Sequence, residues 1–269
     1  MNKPDILTEI AAATRRDLEK QKRLLLPQEL DGLCAAHHRE IRDFYGALKR
    51  SDRQSGTPNV IAELKKASPS AGLIRADFRP LELAQALEKA GAKALSVLTE
   101  PHFFQGAPAT LSGVAKLVKI PLLRKDFILD DYQIKQAFLW GADAVLLIAA
   151  LLDQAELRAL SSVAGQYGLA VLGEAHTGEE LERLLAVDDI RVVGVNCRDL
   201  RTFRTDWDGA EKLLTLIPAD KVAVAESGIA NPADLHRLPA DAFLIGTTLM
   251  KAADPAAQLR ELLNHERKS

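Results

Sequence analysis

The chain has 269 residues, 47% hydrophobic and 27% charged, which is enough to bury a large core as one α/β domain or two small ones. A net charge of -2, with no Lys/Arg stripe interleaved with aromatics, excludes a nucleic-acid binder driven by charge. Cys34 and Cys197 make neither a disulfide framework nor a metal-ligand pattern; so few cysteines suit a reducing compartment, with cytoplasm as the expected location.

The N-terminal stretch MNKPDILTEIAAATRRDLEKQKRLLL has no continuous apolar region and carries acidic residues throughout, which speaks against a signal peptide. No later segment approaches an uncharged apolar run of membrane-spanning length, so no membrane association is expected. ILTEIAAATRRDLEKQ (6–21) and ELDGLCAAHHREIRDFYGAL (29–48) read as amphipathic helices too short to stand alone. Residues 1–58 are therefore expected to form a helical extension packed on the rest of the chain, as a structural cap.

From residue 60 onward, apolar runs rich in Val, Ile, Leu and Ala recur between amphipathic stretches. They are VIAEL (60–64), ALSVL (94–98), PLLRK (121–125), AVLLI (144–148), AVLGE (170–174), VVGVN (192–196), VAVAE (222–226) and AFLIG (242–246). The intervening PLELAQALEKAGAKA places Leu81, Ala84, Leu87 and Ala90 on one helical face and stops at Gly91. DDYQIKQAFLWGADA repeats the design with Ile134, Ala137 and Phe138 before Gly141. TGEELERLLAVDD begins on Thr177 with Glu180 three residues on, like a capping box, and NPADLHRL sets Pro232 just after a cap at Asn231. Short apolar strands separated by helices make a parallel sheet covered by helices, and eight such units predict a closed (β/α)8 TIM barrel with the N-terminal extension added. No strand is followed by GxGxxG and no Pro/Gly/Ser linker divides the chain, so residues 1–269 read as a single domain rather than an open doubly wound sheet.

Active sites of such barrels lie at the C-terminal strand ends. There the chain carries Glu63, Lys65 and Ser68; Lys125; Glu174; Asn196 and Arg198; Glu226, Ser227 and Gly228; Gly246 and Thr247. With side chains alternating along a strand, Ile61, Glu63 and Lys65 share one side, as do Leu123 with Lys125, Leu172 with Glu174, and Gly194 with Asn196 and Arg198. If these sides face inward, carboxylates and ammoniums meet above the apolar layers. ESGIANPADL and IGTTLMKAADP set glycine and hydroxyl residues where the last two strands turn toward helices, the usual phosphate position. Carboxylate and lysine together can supply a general base and a general acid, or a lysine can form a Schiff base with a carbonyl; the pattern does not separate the two. The histidines, His37, His38, His102, His176, His236 and His265, show no metal-ligand spacing with these carboxylates, so no metal is expected. His176, directed away from Glu174, reads as a structural or loop histidine.

Eight segments in order, IAELKKASPSAG, TEPHFFQG, LLRKDFI, GADAVLLIAALL, GEAH, VGVNCRDL, VAESGI and FLIGTTLM, closely resemble the indole-3-glycerol phosphate synthase family over residues 60–250. The resemblance implies a metal- and cofactor-free carboxy-lyase of tryptophan biosynthesis. Its small-molecule sugar-phosphate substrate is 1-(2-carboxyphenylamino)-1-deoxyribulose 5-phosphate, closed to indole-3-glycerol phosphate, carbon dioxide and water. By motif, Lys125 is implied as the general acid on the substrate carbonyl and Glu174 as the base of the dehydration half. Lys65 is implied as a partner of substrate carboxylate or phosphate that shares the acid role, with Glu63 and Asn196 orienting groups. Arg198 and Ser68 fall to the anthranilate carboxylate, Phe104 and Phe127 to its ring, Glu226 to the substrate, and Ser227, Gly228, Gly246 and Thr247 to phosphate. No nucleic-acid partner is implied, and a monomer or weak homo-oligomer is expected.

Two departures stand out: Gly173 occupies a usually β-branched position and is expected to loosen its strand, and GTT replaces variants of a GxS turn. The rivals are another sugar-phosphate barrel, such as phosphoribosylanthranilate isomerase, and a non-catalytic phosphate-binding barrel. The isomerase family carries a cysteine base where this chain has Glu63 and Lys65, and pure binding needs neither Lys125 nor Glu174. Pro69 and Gly72 begin a loop expected to close over bound substrate.

Overall fold

Alternate residues of the eight apolar runs lie on opposite sides of one closed parallel sheet. The computed structural model describes residues 6–53, 56–198 and 205–264; Asp199, Leu200 and His265 lie outside them. The strands are β1 (Asn59–Leu64), β2 (Ala94–Leu98), β3 (Leu122–Lys125), β4 (Ala144–Ile148), β5 (Ala170–Ala175), β6 (Val192–Asn196), β7 (Val222–Glu226) and β8 (Ala242–Ile245). They pair in sequence order, and β1 closes the barrel against β8, with Ile61 opposite both Leu244 and Ala94. Side-chain alternation does the sorting: Ile61, Leu123, Leu172, Val192, Val224 and Leu244 fill the interior, while Val60, Ala62, Leu64, Leu122, Val145 and Val171 pack outward under the helices.

The N-terminal segment forms α1 (Ile6–Leu24), α2 (Pro27–Ala36) and α3 (Phe44–Leu48), so the single helix expected over 29–48 is broken at residues 37–43. The break has a tertiary cause: the Arg39 and Arg42 guanidiniums meet the fully buried Asp143 carboxylate at 3.0 and 2.7 Å, pinning the extended link against the start of β4. α3 then inserts Phe44 and Leu48, at most 1% exposed, into the interior cluster at the N-terminal end of the strands, where the Asn59 amide donates to the Leu48 carbonyl. α3 is the expected cap; α1 lies at the other end and is more than a cap, because Ile6, Leu7 and Ile10 reach the cavity at the C-terminal strand ends. No helix among the described residues is long and apolar enough to cross a membrane.

The helical layer around the barrel comprises α4 (Pro80–Lys89), α5 (Pro108–Ala115), α6 (Asp131–Leu139), α7 (Gln154–Gln166), α8 (Gly178–Leu185), α9 (Trp207–Thr215), α10 (Thr247–Lys251) and α11 (Pro255–Leu263), with a 3-10 turn at Pro232–His236. In α4 the buried stripe is Leu83, Ala84 and Leu87, whereas Leu81 is 41% exposed; the expected apolar face is thus turned toward Leu83. The Asn231 side chain caps the 3-10 turn as its sequence signals. The Thr177 hydroxyl accepts the Glu180 N–H as an N-cap, but the Glu180 carboxylate reaches back one residue further and accepts from His176 N. Gly173 does not loosen β5, which pairs on both sides of this position. A Cβ there would come 2.8 Å from Leu184 and 2.9 Å from Ile190, so the glycine lets α8 and its following turn approach the strand.

Candidate active site

The inward parity that fills the barrel with aliphatics carries charges at its upper rim. Glu63 and Lys65 continue from Ile61, Lys125 from Leu123, Glu174 from Leu172, Asn196 from Gly194 and Glu226 from Val224. All of them line a cavity of about 320 Å³ at the C-terminal strand ends. Two of these carboxylates lie close to the inner backbone of a neighbouring strand, Glu226 against β6 and Glu63 against the end of β8. A Cβ at Gly194 would come 2.2 Å from Glu226 Oε1, and one at Gly246 would come 2.3 Å from Glu63 Oε1, so both glycines make room for a functional side chain.

Lys125 is the hub. Its Nζ donates to Glu174 Oε2 and Glu226 Oε2, both at 2.9 Å. Asn196 Nδ2 donates to the other oxygen of Glu174 at 3.3 Å, and Lys65 Nζ lies 2.6 Å from Glu63 Oε1. Burial disfavours the Lys125 ammonium, but Glu174, Glu226 and Glu63 outweigh it and hold the lysine charged above its ordinary value. Burial likewise pushes Glu174 up, but Lys125 and His176 reverse the shift and hold its carboxyl down, at about 2. Glu226, shielded by burial and facing Glu174 and Glu63, is pushed up to about 7 despite Lys125. Two carboxylates sharing one ammonium are thereby driven apart, one firmly ionised and one titrating near neutrality.

The cavity is polar at one end and apolar at the other. The Phe104 and Phe127 rings, with centroids 6.0 Å apart, line it together with Ile6, Leu7, Ile10, Leu146 and Ile148. Ser68 and Arg198 line it as well, although the Arg198 guanidinium donates to Ser70 Oγ at 3.5 Å rather than to Ser68. Residues 67–68 pair antiparallel with 72–73, so the segment after β1 is a small hairpin whose tip residues Pro69 and Ser70 overhang the cavity. Lys66, of opposite parity to Lys65, does not line it. Opposite the aromatic end, Ser227 and Gly228 both hold positive φ (69° and 83°), and Gly246 and Thr247 open α10. The two successive positive-φ residues make a sharp backbone turn at the cavity wall.

All fourteen sequence-predicted site residues, from Glu63 to Thr247, thus border one cavity. Sequence reasoning missed Ile6, Leu7 and Ile10, whose crowding of apolar residues in the first turn of α1 was the available signal, and Ser70 and Thr248, which look like ordinary loop hydroxyls. It also misplaced His176. Glu174 and His176 have the same parity, and the imidazole Nε2 stands 3.5 Å from Glu174 Oε1, not on the opposite side.

The family model described as indole-3-glycerol phosphate synthase matches residues 7–262. An indole-3-glycerol phosphate synthase from a Polaromonas species is 44% identical over 265 residues, covering 96% of this chain and 98% of that protein. One from Neisseria meningitidis is 44% identical over 263 residues, covering 96% and 99%. Among solved structures, 3-hexulose-6-phosphate synthase from Salmonella typhimurium superposes with a TM-score of 0.61 at 16% identity, over 76% of this chain and 96% of that one. A mutant tryptophan synthase α-subunit from Pyrococcus furiosus gives 0.57 at 14% identity, over 78% and 99%. At such identities these two likenesses speak for the barrel fold alone.

Proposed function

The chain belongs to the indole-3-glycerol phosphate synthase family, decarboxylating lyases of tryptophan biosynthesis, and on that premise we propose how its rim residues divide the ring-closing reaction. The observation that carries the division is the placement of Lys125 Nζ, 2.9 Å from two buried carboxylates, in one cavity with Phe104 and Phe127 and with the glycine-hydroxyl turns after β7 and β8. The substrate, 1-(2-carboxyphenylamino)-1-deoxyribulose 5-phosphate, has a matching order of parts: an arene with its carboxylate, a carbonyl, and a phosphate.

The arene packs on Phe104, Phe127 and the α1 aliphatics, and its carboxylate pairs with Arg198 beside Ser68. The phosphate takes the backbone N–H groups around Ser227, Gly228, Gly246 and Thr247. That leaves the carbonyl at Lys125. As the aryl carbon attacks it, negative charge grows on the oxygen and positive charge on the aniline nitrogen; Lys125 protonates the first, and the nearby carboxylates stabilise the second. Loss of carbon dioxide restores the aromatic ring. Glu174, ionised by its neighbours, then takes a proton from the CH2 carbon as the hydroxyl departs, while Lys65 shares the acid role and pairs with the substrate's anionic groups. Glu63 and Asn196 orient Lys65 and Glu174, and Glu226 holds Lys125 from the far side. The hairpin over residues 67–73 closes on the bound substrate, and residues 1–269 work as one domain, a cytoplasmic monomer or weak homo-oligomer.

The defined substrate and purified protein, with no metal or cofactor added, test the reading: indole absorbance and fluorescence rise together, and no rise above the uncatalysed rate overturns it.

A further inference from the structure

We propose that His176, backed by Glu180, is a positioning residue that resupplies the proton consumed at the Glu174–Lys125 rim in each turnover. The inference rests on Glu174 being the base of the dehydration half. Its starting point is proton balance. The aryl carboxylate leaves as neutral carbon dioxide and the carbonyl oxygen as neutral water. Two protons are therefore placed on that oxygen, one as the C–C bond forms and one as the C–O bond breaks, and only one is recovered, from the CH2 carbon. Glu174 can return the recovered proton to Lys125 along their 2.9 Å hydrogen bond. The rim still ends each cycle one proton short, and solvent must make up the difference while substrate or product fills the cavity that Lys125 and Lys65 line.

Among the described residues, His176 lies beside Glu174 in a place suited to that task. It does not line the substrate cavity. Its Nε2 is 3.5 Å from Glu174 Oε1, and its Nδ1 is 3.7 Å from Glu180 Oε2, so the ring bridges a buried catalytic carboxylate on β5 and a partly buried one on α8. Glu180 is held there by accepting the His176 N–H at 2.7 Å, next to the exposed Thr177, Gly178 and Glu179. Neither ring nitrogen has a hydrogen-bond partner among the described residues, although both are buried, so no bond there ties the imidazole to one orientation. The charged groups acting on it are Glu174 on β5, Glu180 on α8 and Glu226 on β7; against the opposing effect of burial they favour the imidazolium. A proton accepted from solvent by Glu180 passes to the ring, the ring delivers one from Nε2 to Glu174, and Glu174 passes it to the neutral Lys125 amine. The ring, left as its Nδ1–H tautomer, returns to the Nε2–H tautomer by exchange with solvent, taking a proton on Nε2 and giving up the one on Nδ1, so that one solvent proton is consumed per cycle and every atom and charge is recovered.

The experiment compares first-turnover and steady-state rates in the full-length protein. His176→Ala is expected to leave the first turnover, for which the rim is already charged, within about twofold of the parent. Steady-state kcat is expected to fall roughly ten- to a hundredfold, the scale of a lost proton-transfer group, with KM unchanged and a burst of one product per site. Added imidazole should restore the steady-state rate in proportion to its concentration. Glu180→Gln, which keeps the imidazole and an acceptor for His176 N, should show the same burst and carries the test should His176→Ala fail to fold. A steady-state rate equal to the parent's, or equal losses in both phases that imidazole does not relieve, overturns the inference. Glu174→Gln separates the two levels: parent-like dehydration in that variant refutes the role of Glu174, whereas its loss alongside burst-free His176→Ala kinetics refutes only the part given to His176.

Discussion

Replacing Glu226 by Gln should remove a pH-dependent weakness from the fold. The Glu226 carboxyl titrates at about 7 in the folded chain, against 4.5 for an ordinary glutamate, because burial and the neighbouring acids outweigh Lys125. Between those values the folded protein binds more protons than the unfolded chain, so stability falls as pH rises. The contribution of this group is complete below pH 4.5 and gone above about 7. At ~1.4 kcal/mol per tenfold change, the rise corresponds to about 3 kcal/mol in all, of which ~2 kcal/mol falls between pH 5 and pH 8. Glutamine keeps an oxygen to accept the Lys125 hydrogen bond but carries no charge. Its amide, standing where Glu226 Oε1 has no hydrogen-bond partner among the described residues, is equally unfavourable at both pH values. The assay is urea unfolding of parent and Glu226→Gln at pH 5 and pH 8. The variant's stability relative to the parent should be higher at pH 8 than at pH 5 by ~2 kcal/mol. The same difference at the two pH values would refute the reasoning.

Gly246→Ala places a methyl 2.3 Å from Glu63 Oε1 and 3.1 Å from Lys65 Nζ, so the pair must move. Turnover should fall by roughly ten- to a hundredfold for ~1–3 kcal/mol of stability, measured by steady-state kinetics and urea unfolding. Leu48→Ala, in the fully buried plug at the opposite mouth, should do the reverse: a loss of ~2–5 kcal/mol in unfolding free energy with kcat within twofold of the parent. Hydrogen exchange over residues 67–73 should slow when substrate or product is bound, and identical exchange in both states would remove the closing hairpin from the account.

The barrel was legible because strands buried on both faces read as uninterrupted apolar runs, and each predicted strand lies within one residue of the observed one. Lys125 and Glu174 were legible for a related reason: a charge that shares parity with interior aliphatics can only sit at the rim. Where the reading failed, contacts distant in sequence decided the outcome. Residues 37–43 contain neither Pro nor Gly and look helical, yet the Asp143 carboxylate, about a hundred residues on, holds Arg39 and Arg42 in an extended link. Leu81 was placed in the buried stripe by helical spacing, but the direction in which α4 docks favours Leu83. The α1 residues in the cavity are signalled only by an apolar cluster at the start of the helix, which does not by itself distinguish a site from a core contact. His176 is a different case: its parity with Glu174 was present in the sequence, and only its nearness to two carboxylates gave that parity a meaning.

The most direct test of the account is the single-turnover rate of Lys125→Ala with the carboxyphenylamino-deoxyribulose phosphate, alongside its binding affinity. Loss of the ammonium that meets the carbonyl oxygen should slow ring closure by roughly two to four orders of magnitude while leaving binding within a few-fold of the parent. A first turnover at the parent's rate would contradict the role given to Lys125 and, with it, the division of labour around the rim.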